Sequence, residues 1–104
     1  MRVGYDFHPE ARADLDEIWE YIGADNLDAA DRVITDILSA IDAHVAFPHQ
    51  GHRRPDLTSR PLRFIIVHAY LIAYAPDEKP LWVVAVMHGG RSPRLMAAIL
   101  RSRE

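Results

Sequence analysis

The chain has no cysteine and a single lysine, Lys79. Without cysteine there is no disulfide framework, no thiolate nucleophile and no cysteine-ligated zinc or iron–sulfur site. No apolar run approaches the ~18 residues a membrane-spanning helix needs, and the opening residues lack the apolar core of a signal peptide. A cytoplasmic protein is therefore expected. Glycine is also scarce, five in 104 residues, and no repeat, low-complexity tract or linker interrupts the chain. At this length a single domain spanning residues 1–104, with one core, is expected. Apolar residues make up 49% and charged residues 26%, the balance of a folded globule rather than a disordered segment.

The net charge of −3 conceals a division. Residues 1–45 hold eleven acids and three arginines, a balance of −8, whereas residues 46–104 hold nine bases and four acids, a balance of +5. Eleven of the twelve bases are arginine, whose rigid fork suits recognition of carboxylate, phosphate and aromatic faces. The split predicts two surfaces of opposite character.

Hydrophobic periodicity supplies the elements. Val3, Tyr5 and Phe7 alternate as in a short strand. Pro9 begins a helix, with Glu10 in its first turn, and Ala11, Leu15, Ile18 and Ile22 form one stripe before Gly23. Asp14, Asp16, Glu17 and Glu20 fall on the other side and read as a solvated face. A second helix is expected from Asn26 or Asp28 to about Phe47, closed by Pro48. Its apolar arc is wide, from Leu27 and Ala30 through Ile34, Ile37, Leu38 and Ile41 to Val45, with Val33 and Ala40 on one edge. That width predicts cover from two directions. Residues 48–61 read as a loop rich in proline and arginine. Three strands follow, Leu62–His68, Tyr70–Ala75 and Leu81–His88, apolar on both faces, so at least the central strands are covered on both sides. Leu95, Met96, Ile99 and Leu100 suit a terminal helix that docks on the body or on a partner. The order is β-α-α-β-β-β with a C-terminal helical tail, an α+β fold in which an αα-hairpin packs on a mainly antiparallel sheet.

Certain of these residues also form a known pattern. His8-Pro9-Glu10-Ala11-Arg12-Ala13-Asp14-Leu15-Asp16-Glu17-Ile18-Trp19-Glu20-Tyr21-Ile22 resembles the first-helix signature of the RelE/ParE toxin superfamily, in particular its ParE branch. The resemblance continues through Phe47–Arg54, Arg60, the Tyr70–Tyr74 strand and Val86-Met87-His88-Gly89-Gly90-Arg91. Position 52 is His where Gly-Arg is usual, and Ser92 stands where Asp is common. The resemblance implies a toxin of a type II toxin–antitoxin pair, held inactive by a cognate ParD-like antitoxin. ParE-type members are associated with inhibition of DNA gyrase, and RelE-type members with metal-independent cleavage of mRNA on the ribosome. A non-toxic binding module on the same fold is a third reading.

Candidate site residues follow. Trp19, flanking the helix-one stripe, with Val33 and Ile37 on helix two, is expected to receive an antitoxin segment. Arg53, Arg54, Arg60, Arg63, Arg91 and Arg94 form a possible basic surface for an acidic antitoxin tail, gyrase or RNA phosphate, or else pair with the acidic helices. If the protein is a nuclease, His88 with Arg63 and Arg91 would supply the acid, base and cations that metal-free cleavage needs. His44, His49 and His52 lie in or beside a loop and make a poor metal site. No metal or cofactor is called for.

Overall fold

The computed structural model describes residues 4–104. In chain order these are β1 (Tyr5–Phe7), α1 (Pro9–Gly23), α2 (Leu27–Ala43), a 3₁₀ turn (Pro48–Gln50), β2 (Arg63–Val67), β3 (Tyr70–Ala75), β4 (Leu81–His88) and α3 (Pro93–Arg101). Val3 of the expected first strand lies outside the described residues. The strands form one sheet in the order β1-β4-β3-β2, with β1 parallel to β4 and the other two pairings antiparallel. This is the α+β arrangement expected, with a mixed sheet.

Each helix begins where a side chain can serve its free amides. His8 Nδ1 accepts from Glu10 N at 3.0 Å, Asn26 Oδ1 from Ala29 N at 3.0 Å, and Ser92 Oγ from Leu95 N at 3.2 Å. Pro9 and Pro93 occupy first-turn positions where a missing N–H is harmless. Helix α2 stops at Ala43, four residues short of the expected Phe47. His44 N and Val45 N reach back only three residues, to Ile41 O and Asp42 O at 3.0 and 3.1 Å, which tightens the last turn. His44 Nδ1 also bonds Ala40 O at 2.7 Å, and Val45 turns in against the core.

The sheet is covered on both faces. On one, the α1–α2 hairpin buries Ala11, Ile18, Ile37 and Ile41 against Ile65, Ile72, Tyr74, Val83 and Val86. On the other, Met96 and Leu100 of α3 join Leu57, Leu62, Phe64, Leu71 and Met87. The terminal helix therefore docks on the body. Each fully buried Val, Leu, Ile, Phe or Met side chain contributes about 1.5–3 kcal/mol. A register shift between Ala73 and Tyr74 sets Val84 and Ala85 on the same face of β4, which lets that strand feed both cores. The β2–β3 turn uses His68 at φ 54°, a left-handed value normally left to glycine. His68 Nε2 meets Asp36 Oδ2 of α2 at 2.6 Å, so the turn is tied to the helical layer.

Beneath the hairpin, Tyr74 is fully buried; its hydroxyl donates to Pro48 O at 2.6 Å and accepts from Gly51 N at 3.1 Å. A side chain at position 51 would collide with that hydroxyl, which accounts for glycine there. Burial raises the Tyr74 pKa above its ordinary 10.0. A group that holds its proton more tightly when folded stabilises fully below its unfolded pKa and loses that contribution as pH rises through the folded value. Tyr74→Phe is expected to cost about 1–3 kcal/mol in urea denaturation near neutrality and to flatten the loss of stability above pH 10.

Asp14 departs from the solvated face expected of it. Strand β1 pairs only with Leu81–Val83, leaving the rest of that edge of β4 without a strand beside it. Asp14 Oδ2 accepts from Val86 N at 2.9 Å. Arg103, beyond α3 and 9% exposed, gives Nη1 to Asp14 Oδ2 at 2.5 Å and to Val84 O at 3.3 Å, and Nη2 to Asp14 Oδ1 at 3.0 Å. The hydrogen bond to Asp14 raises the guanidinium pKa still further. Arg60 Nη1 closes the end of α3 by donating to Leu100 O at 2.9 Å and Arg103 O at 3.0 Å. Removing one partner strands a largely buried charge. Asp14→Ala is expected to cost about 3–5 kcal/mol in chemical denaturation, whereas Asp16→Ala, on the exposed face of the same helix, changes stability by less than about 0.5 kcal/mol.

Candidate partner groove and arginine surface

The wide apolar arc of α2 divides its work. Ile37 and Ile41 enter the core; Ile34 packs against its edge and, with Leu38, also faces α1 and β1. There they line a groove of about 420 Å³ with Tyr5, Phe7, Leu15 and Trp19. Tyr5 and Phe7 meet edge to face at 5.7 Å between ring centres, and the Arg12 guanidinium lies 5.3 Å from the centre of the Phe7 ring. Trp19 is 39% exposed, and its indole Nε1 donates to Asp31 Oδ1 at 2.9 Å, which fixes the ring across the two helices. Asp6, Arg12 and Asp16 complete the lining. Of the residues expected to receive a partner, Trp19 is in this groove. Ile37 is not, being fully buried, and Val33 packs against the core beside it. The groove-lining residues on α2 lie one step along, at Ile34 and Leu38; the sequence arc included both but did not say which edge faced outward.

The arginines disperse. Arg54 is engaged by Asp56 through two bonds of 2.9 and 2.8 Å, which hold that carboxyl below its ordinary pKa. Arg60 closes α3, and Arg63 Nη1 donates to Gly51 O at 3.2 Å. Arg53, Arg91 and Arg94 are exposed and make no ion pair among the described residues. The nuclease set does not assemble. His88 and Arg91 line one depression, with Asp14, Glu17, Tyr21 and Tyr70, and the His88 ring stands edge-on to Tyr70 at 5.6 Å. Arg63 pairs across the sheet with Tyr74, four residues along β3 from Tyr70, roughly 13 Å away by strand geometry. The three histidines set aside as a metal site also separate: His44 bonds α2, His49 meets Asp77 at 3.0 Å, and the backbone of His52 bridges Phe64.

The family model for the ParE toxin of the type II toxin–antitoxin system parDE matches residues 5–93. The chain belongs to the ParE toxin family. No curated protein matches it.

Ser92 in this ParE-family toxin makes physical sense as a replacement for aspartate. Its hydroxyl caps α3, a task that serine and aspartate perform about equally well. The match ends at residue 93, so the Arg103 clamp lies past it. Neither periodicity nor resemblance pointed to Arg103, because nothing local in the sequence marks an arginine that reaches back to Asp14.

The division of α2 gives a direct test. Ile37→Ala is expected to lower stability by about 2–5 kcal/mol in urea denaturation through the cavity it leaves. Leu38→Ser, at the groove wall, is expected to cost less than half as much.

Proposed function

We propose that the chain is the toxin of a toxin–antitoxin pair, that its cognate antitoxin occupies the groove between β1, α1 and α2, and that the free toxin inhibits DNA gyrase. The observation that carries the docking half is the apolar groove of Trp19, Ile34 and Leu38 on a ParE-family hairpin. Nothing in the described chain fills it, and exposed apolar walls of this kind are where helical partners anchor. The gyrase half is supported by the family match together with the separation of Arg63 from His88 and Arg91, which leaves RNA cleavage without a convergent set of groups. Arg53, Arg91 and Arg94 are exposed and unpaired among the described residues, as are Arg32, Lys79 and Arg101, and are available to a target surface. The reading needs no metal or cofactor and places the protein in the cytoplasm.

Purified protein is expected to block gyrase supercoiling of relaxed plasmid at micromolar concentration, and an Arg91→Ala variant to do so less well. Messenger cleavage in a translation extract, without gyrase inhibition, would replace this reading with the ribosome-dependent nuclease. Unimpaired growth on induction without antitoxin would reduce the protein to a binding module.

A further inference from the structure

The walls of the groove are apolar, but its rim is acidic. Asp6 and Asp16 belong to the lining itself. Helical spacing places Glu20 one turn beyond Asp16 on α1, and Asp31 and Asp42 at either end of the Ile34–Leu38 row on α2. Asp6 is the only one of these acids that meets a cation among the described residues, at 3.5 Å from Arg12, and Arg12 is already committed to the Phe7 face. The remaining acids face solvent without a cationic partner.

The backbone at the groove also limits the form of an occupant. Gly4 O, Leu81 N, His8 N and Val83 O bond across the β1–β4 pairing, so Tyr5 and Phe7 present their backbone groups to the outer edge. The outward Phe7 N–H is already taken by Asp6 Oδ1 at 2.8 Å. With three residues and one donor occupied, β1 is a poor template for an added strand. A helix needs no backbone partner and places side chains on the walls at every third or fourth residue.

We propose that the groove selects an amphipathic helix whose apolar stripe is flanked by lysine or arginine. This specificity rests on the docking reading above. The acids at the rim attract such a helix and repel one flanked by glutamate.

The test uses the full chain and two labelled helical peptides with the same leucine and isoleucine stripe. One carries lysine and arginine at the flanks, and the other carries glutamate. By fluorescence anisotropy at low salt, the cationic peptide is expected to bind at least about tenfold more tightly, with the margin shrinking as salt is added. Asp16→Lys, on an exposed position, is expected to narrow that margin without altering the thermal melt, and Leu38→Glu to abolish binding of both peptides. Equal or tighter binding of the glutamate peptide, lost in Leu38→Glu, overturns the charge preference and leaves helix docking standing. Binding indifferent to Leu38→Glu, or no binding of either peptide, overturns the docking reading with it.

Discussion

The Asp14–Arg103 pair holds together what the strands alone do not. β4 lies inside the sheet, yet its neighbour β1 covers only Leu81–Val83. Past that point the edge would be left with free amide and carbonyl groups under the helices, where water cannot serve them. Asp14 takes the Val86 amide and Arg103 supplies the Val84 carbonyl, so a side-chain ion pair stands in for the missing length of strand. Through that one pair α1, β4 and the segment after α3 are joined. The pair earns its place by satisfying backbone groups as well as by Coulomb attraction, which burial alone would offset.

With the sheet closed this way, the two helical layers have different duties. α3 is short and strongly one-sided, and it spends its apolar face on Met96 and Leu100 against the sheet. The α1–α2 hairpin has more apolar surface than the sheet covers. Core positions on α2 alternate with groove positions along the same helix, so core packing and the proposed docking surface are separated by single steps in sequence. The acids that make the N-terminal half so negative then divide three ways: Asp14 inside, Asp31 and Asp36 bonded to Trp19 and His68, and the others around or away from the groove.

Much of this could be read in advance. The strands Tyr70–Ala75 and Leu81–His88, the start of α1 at Pro9 and its stop at Gly23 follow from local periodicity and breakers. Two-faced burial followed from the unbroken apolar runs. The end of α2 was misplaced because the backbone hydrogen bonds of His44 and Val45, not the proline at position 48, decide it. Asp14 was misread because a helical wheel reports which way a residue points and not what comes to meet it; its partner is supplied by tertiary structure alone. For the same reason the arginines, adjacent in composition, scatter in space. The angle of Trp19 off the core stripe allowed either flanking core or a partner groove, and only the family resemblance favoured the second; Ile37 was misplaced because an arc wider than one contact does not reveal its inner edge.

The connectivity also orders the protein in time. Tyr5 pairs with Leu81, and Asp14 with Arg103, so the first strand and the first helix each wait for partners made much later in the chain. A nascent chain carrying the whole hairpin still has no sheet for it to pack on. Every native tie of β1 to its neighbour strand is non-local, and the closure entropy must be met before any of those contacts forms. A chain that stops before β4 lacks the strand on which β1 is seated, and the groove that β1 helps to line comes into being only when the sheet does.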